Sequence, residues 1–418
     1  MSTIAVTIMF GDGHGGFQVS DSYAAGFDSS AIAAGDLNND GILDLAVTAS
    51  GDNDVLILTG TRNGAFSHPA NYATGAREYS VATADFNGDG IPDLAVASEA
   101  RGVVIQLGNG DGTFRQGGTF AAGGYVFSLT VGDFNGDGKP DLAATLACCP
   151  GPGPVSILLN NGDGTFAAPV SYAAGTHAAY VAVGDFNGDG IADLAAISSN
   201  LLPDVQGVSV LLGNGDGTFQ PQVTYQTGIH TSSIVAGDFN GDGKLDLAIP
   251  GADESGKSSI AILTGNGNGT FQPPVFVPVS ETPNSLAAGD LNGDGKLDLA
   301  MTFEQGVRAV GVLLGNGNGT FQAETDYLAP VEFPTSITIG DFNADSKPDL
   351  AITADNSTVM ILTGNGDGTF SPVPLIFSTD YGPAWAAAAD FNLDGKLDLA
   401  VATSSGMSVL LNTTPSPQ

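Results

Sequence analysis

The sequence is poor in cysteine, in basic residues and in long apolar runs, and each scarcity removes a class of protein. Its two cysteines, Cys148 and Cys149, are adjacent, so no disulfide framework holds the chain together. The pair reads either as a strained vicinal disulfide or as two thiols. Eleven Lys and Arg stand against 45 Asp and Glu, a formal charge of -34. Phosphate contacts need a cationic surface, so nucleic-acid binding is excluded, and an anionic membrane is a poor partner. No apolar run approaches the roughly 20 residues of a membrane span, so membrane insertion is not expected. The opening MSTIAVTIMF lacks the basic region and cleavage site of a secretory leader, so either the protein is not secreted or this is a mature or recombinant form. The four histidines, His14, His68, His177 and His230, are scattered. With no serine elbow, phosphate loop or zinc motif either, the residues argue against an enzyme.

What is plentiful is glycine, 60 residues, with 22 prolines. Such turn-formers interrupt every run before a long helix can form. The segment DFNGDGxxDLA recurs eight times, its first aspartates at Asp36, Asp85, Asp133, Asp185, Asp238, Asp290, Asp341 and Asp390, at intervals of 48 to 53 residues. Each period holds four short strands, and the second and third (DLAVTAS, VLILTG) are nearly continuous apolar runs, so both faces of the sheet are covered. A β-propeller meets that requirement, because neighbouring blades sandwich each sheet. The fold class is all-β: a propeller of four-stranded antiparallel blades, eight of them, with seven as the alternative, in one domain over residues 1–413 with a disordered tail at 414–418. The N- and C-terminal strands share the last blade. Residues 4–9 and 407–411 both read as third strands and compete for one slot, so one of them is surplus or an added edge strand.

The acidic loops span 36–44, 85–93, 133–141, 185–193, 238–246, 290–298, 341–349 and 390–398. After the eight leading aspartates, position three is Asn38, Asn87, Asn135, Asn187, Asn240, Asn292, Asn343 and Asn392. Position five is Asp40, Asp89, Asp137, Asp189, Asp242, Asp294, Asp345 and Asp394. Position nine is Asp44, Asp93, Asp141, Asp193, Asp246, Asp298, Asp349 and Asp398. The carbonyl at position seven belongs to Ile42, Ile91, Lys139, Ile191, Lys244, Lys296, Lys347 and Lys396. Alternate residues of a curled loop aim inward, and an all-oxygen set of six or more ligands suits Ca²⁺ better than Mg²⁺ or Zn²⁺. Three carboxylates about 5 Å apart repel by about 3 kcal/mol per pair at an effective dielectric near 20, which a dication relieves. With three in each of eight loops, 24 of the 45 acidic residues are accounted for, and eight Ca²⁺ would bring the charge from -34 to -18. In the seventh loop Ser346 stands where the others have glycine, which predicts the weakest site. The GNGDGTF turns contain Asp111, Asp163, Asp216 and Asp367, but Asn268 and Asn318 replace the acid in two copies, so these read as tight hairpins and not as ligands.

At these loops and turns the sequence resembles the FG-GAP, or VCBS-type, repeat family, known from the seven-bladed heads of integrin α subunits and from related fungal lectins. The resemblance covers essentially the whole chain and implies calcium at the loops, about one ion per repeat, and an extracellular or cell-surface setting. Certain polysaccharide lyases with calcium-bearing propellers are similar in having eight blades.

Antiparallel strands put the acidic loops on one face and the variable four-to-one and two-to-three links on the other. Variation on a fixed scaffold is where binding usually resides. Candidate ligand residues there are Tyr79, Tyr125, His177, Tyr180, His230, Tyr381 and Trp385, because aromatic rings beside polar groups suit sugars or peptides. The bland alternative is that they plug the central channel. Three longer two-to-three links, ACCPGPGP, SSNLLPDVQG and PGADESGKSS, break the symmetry on consecutive repeats. The reading is a recognition module for a glycan or protein ligand. The alternatives are a lyase-type enzyme on polysaccharide and a structural, self-assembling subunit.

Overall fold

The computed structural model describes residues 6–11, 17–23, 29, 31–67, 69–100, 102–146, 154–175, 178–198, 207–231, 233–303, 308–328, 331, 333–379, 383–403 and 406–411. They contain strands only, β1 to β33 in chain order, and no helix. The strands form eight sheets, seven of four strands and one of five, so the eight-bladed expectation is met. Cys148, Cys149, His14, His68, His177, Tyr381 and the tail 414–418 lie outside the described residues, as do most of the first two long links.

The second blade shows how one repeat folds. Its strands are β7 (Glu78–Ala84), β8 (Asp93–Ser98), β9 (Gly102–Gly108) and β10 (Phe114–Phe120), each paired with the next. The apolar runs DLAVAS and GVVIQLG become β8 and β9, and every residue of both is buried. Outer strands of other blades, such as β18 (Val223–Gln226), are largely exposed. Blades pack face to face: Val81, Leu94, Val96 and Val104 of the second meet Leu37, Ala46, Val55 and Ile57 of the first in one cluster. Each fully buried side chain of this kind contributes about 1.5 to 3 kcal/mol.

A second device locks blade to blade. Position two of each acidic loop is Phe or Leu, and its side chain is buried. The Phe86 ring meets Phe166, from the hairpin of the next blade, edge-on at 5.6 Å, and the Gly164 amide donates to the Phe86 carbonyl at 3.0 Å. The same ring contact joins Phe134 to Phe219, Phe186 to Phe271 and Phe239 to Phe321. It also joins Phe391 of the eighth blade to Phe66 of the first, so the ring closes.

The closing blade uses both terminal segments. β33 (Gly406–Leu411) pairs antiparallel with β32 (Asp398–Thr403) in the third slot. β1 (Val6–Gly11) then lies parallel to β33, with Thr7 opposite Ser408 and Phe10 opposite Leu411, and β2 (Phe17–Tyr23) is outermost. The apparent competition for one slot is resolved by adding a strand: a parallel partner needs no hairpin, so two third-strand sequences lie side by side.

Candidate functional site

Each acidic loop is curled by its own side chains. In residues 85–93, Asp85 accepts the Gly88 amide on Oδ1 at 2.7 Å and the Gly90 amide on Oδ2 at 2.8 Å. Asn87 Oδ1 accepts the Asp89 amide, and Asp89 Oδ1 accepts the Ile91 amide. Such Asx turns hold positions one, three and five on the inside of the curl. The sharp reversal needs positive φ at two places, Gly88 (75°) and Gly90 (80°). The second was expected from the glycine at position six. The first was missed, because Asn39, Ala344 and Leu393 stand at position four in three loops, at φ of 58°, 58° and 59°. Ser346 adopts 65° and still donates its amide to Asp341, so the seventh loop keeps its shape with two side-chain-bearing residues in the left-handed region.

Position nine has a different task. Asp93 is fully buried, with Oδ2 accepting the Phe86 amide at 2.9 Å and Oδ1 the Gly108 amide at 2.8 Å, which ties the loop to the end of β9. The same pair of bonds recurs at Asp44, Asp141, Asp193, Asp246, Asp298 and Asp349. Burial pushes the Asp44, Asp93, Asp193 and Asp349 carboxyls up to about 6 despite these bonds, and the charges at positions five and one add to the rise. The three acids of a loop therefore feel one another.

Five loops contain a feature the sequence reading passed over. The position-seven lysines ion-pair with the position-five aspartate of their own loop: Lys139 with Asp137 at 3.0 Å, Lys244 with Asp242 at 3.2 Å, Lys296 with Asp294 at 2.8 Å, Lys347 with Asp345 at 3.4 Å and Lys396 with Asp394 at 3.7 Å. The signal was legible as DGK in place of DGI. These loops have a cation of their own on the Oδ2, whereas in the Ile loop at 185–193 the same oxygen accepts the Asn187 side-chain amide at 2.9 Å.

As they stand, no three carboxylate, imidazole or thiolate groups among the described residues enclose a metal ion. The donor chemistry nonetheless fits Ca²⁺: hard oxygens only, three mutually repelling acids, and amides that already gather positions one, three and five on one side of the loop. In the 3–4 hairpins, Asp111 Oδ1 accepts the Thr113 amide and hydroxyl, and Asn268 does the same for Thr270. Acid and amide are interchangeable there because the task is a turn.

The opposite face has a second feature. The first strands begin there, and Tyr79, Phe127 and Tyr180 stand at neighbouring places on three successive blades. Their rings are in contact, 5.8 Å between Tyr79 and Phe127 and 5.9 Å between Phe127 and Tyr180. Together with Ala31, Ser128 and Ala386 they line a cavity of about 370 Å³. Since its walls come from the innermost strands of five blades, it is the mouth of the central channel. The Arg77 guanidinium lies 5.6 Å from the Tyr79 ring centre. Burial raises the Tyr79 and Tyr180 phenols above their usual range, and the Tyr79 hydroxyl is bonded to Glu99 and Arg77. Of the other candidates, Tyr125 is exposed at the rim, His230 bridges Ala252 through its backbone, and Trp385 lies on β31 (Pro383–Ala389), its side chain outside the described part.

Comparison with solved structures finds propellers. The Dos1 propeller superposes with a TM-score of 0.59 at 9% identity, covering 92% of this chain and 92% of that one. The BP39L lectin from Burkholderia pseudomallei gives 0.53 at 14% identity, covering 84% of this chain and 99% of that one. BBS1N, solved in complex with ARL6DN, gives 0.51 at 13% identity, covering 100% and 99%. At such identities the likeness concerns fold alone. No curated protein matches the sequence. The FG-GAP-like repeat description matches residues 36–96, 85–144, 145–196, 200–249, 251–301 and 341–401, and the FG-GAP repeat description matches 230–270. The chain belongs to the FG-GAP repeat family.

Proposed function

We propose that this propeller is a calcium-dependent recognition module, extracellular or at a cell surface, that takes a glycan or protein ligand at the channel mouth opposite its acidic loops. The observation that carries the reading is the run of Tyr79, Phe127 and Tyr180 along one cavity. Aromatic faces beside phenol hydroxyls, Ser80 and Ser128 offer an apolar platform with polar groups around it, the usual make-up of a site for a sugar ring or a peptide side chain. Propellers of similar shape include a lectin and a protein solved with a protein partner, which supports both ligand classes. In each loop positions one, three, five and nine and the position-seven carbonyl would hold the ion. The ion supplies charge neutralisation, and the amides and Asx turns of the chain set the loop's shape.

A glycan array with the calcium-loaded protein tests the reading. Specific signals that fall at least about tenfold in Tyr79→Ala and Tyr180→Ala, and fall on chelation together with the melting temperature, support it. Signals indifferent to both substitutions, a melting temperature indifferent to chelator, or unsaturated products from acidic polysaccharides would overturn it.

A further inference from the structure

The fifth blade contains a smaller cavity, about 250 Å³, away from the channel mouth and on the same face. Its walls come from the link after β18, the long two-to-three link of the fifth blade, the start of β21 (Ser258–Leu263) and the outer strand β22 (Val275–Pro278). Four observations set it apart. Thr227 lines it and is 3% exposed, yet its hydroxyl is buried with no hydrogen-bond partner among the described residues. A buried polar group left so costs about 1 to 3 kcal/mol, and a ligand that bonds it removes the cost. Lys257 makes no ion pair among the described residues, whereas the five loop lysines all do. Asp253 spends only Oδ1 within the link, accepting the Ser255 amide and hydroxyl and the Lys257 amide at 2.6 to 2.9 Å, and Oδ2 has no hydrogen bond among the described residues. Phe276, 47% exposed, and Pro278 form a flat apolar wall.

One small ligand satisfies all four. We propose that this cavity is a binding site for a single acidic sugar ring of the uronic-acid type, with the carboxylate on Lys257, ring hydroxyls on Asp253 Oδ2 and Thr227, and the C–H face against Phe276. The volume is below the roughly 300 to 1,000 Å³ of sites for drug-sized molecules and suits one ring. A strongly acidic protein repels anions at large, so recognition falls to local groups: a cation held beside hydroxyl-bonding partners and an aromatic face. The long link that carries Asp253 and Lys257 belongs to this repeat, so the site is not repeated around the ring.

Saturation-transfer NMR and calorimetry on the calcium-loaded protein, with D-glucuronate, methyl glucoside and glycine as probes, test the proposal. Saturable glucuronate binding is expected, with methyl glucoside weaker. Lys257→Gln lowers glucuronate affinity by about tenfold, as loss of a charge-assisted bond does, and leaves methyl glucoside within about twofold. Thr227→Val and Phe276→Leu weaken both sugars while the melting temperature shows the ring intact. Tyr79→Ala, which disables the channel mouth, leaves glucuronate binding unchanged, so this site and the mouth fail or stand separately. Absence of saturation by glucuronate, equal losses for both sugars in Lys257→Gln, loss of binding in Tyr79→Ala, or a preference for glycine would each overturn it.

Discussion

Three residues carry local costs that substitution can expose. In the seventh loop Ala344 and Ser346 hold φ of 58° and 65°, where glycine stands in most copies. A side chain there costs about 1 to 2 kcal/mol, and nothing lies near the equivalent Gly90, so backbone conformation and not crowding sets the requirement. Ala344→Gly with Ser346→Gly is expected to raise stability by about 1 kcal/mol in calcium and to raise terbium affinity at one site. The third residue is Glu78, fully buried at the start of β7, with its carboxyl pushed up to about 8 by burial and by the charges of Asp54 and Asp52. Folded, it keeps its proton where the unfolded chain, near 4.5, has lost it. Between those values the folded state binds more protons, so stability falls as pH rises, on the order of 1.4 kcal/mol per pH unit, and levels off above about 8. Glu78→Gln keeps the acceptor for Thr74 and removes the titration. Urea midpoints for the variant are expected to be flatter across this window and higher than wild type at pH 8.

Within an element, the division of labour in the acidic loop makes a sharper prediction. Position nine is a latch with both oxygens on backbone amides, whereas position five is exposed, with Asp189 accepting the Ile191 amide on Oδ1 and the Asn187 side-chain amide on Oδ2. Asp193→Asn sets an amide N–H against a backbone N–H and is expected to cost about 1 to 3 kcal/mol with or without calcium. Asp189→Asn is expected to change stability only when calcium is present. Equal effects of the two in chelator, by thermal melting, would contradict this partition. The four strands per repeat, the covered middle strands and the placement of the curled acidic loops were legible, because they rest on side-chain period and fixed spacing within one segment. The latch was not, since Asp193 and its partner Gly213 are separated by a whole hairpin. Nor was positive φ at position four, since Gly188, Asn39, Ala344 and Leu393 share a conformation without sharing chemistry. Lys296 was taken for its carbonyl alone, and its ammonium proved to be the partner of Asp294.

Across the whole molecule, charge and closure decide behaviour together. The formal charge of -34 is concentrated on the face with the acidic loops, and self-repulsion of this kind opposes the compact state. In chelator, added monovalent salt is expected to raise the melting temperature by screening. With calcium bound the same addition has a smaller effect, and equal salt responses in the two conditions would show that the loops are not where the repulsion resides. The choice between eight and seven blades was legible from eight complete loops, whereas the closing blade was legible only as shared by the two terminal strands, with one surplus or added, because Ile8 and Val409 sit in sequences that read as the same strand of the same repeat.

The contact between Phe391 and Phe66 repeats across the seam what Phe86 and Phe166 do within the chain. Five blades thus grip their successors in one rotational sense, and the grip takes no account of whether a peptide bond connects the two. The ring has a handed order without a privileged first blade. Because β1 lies parallel to β33, the two chain ends leave from opposite ends of these strands, so a circularly permuted gene needs a crossover linker of about a dozen residues between them before the chain is opened at another blade boundary.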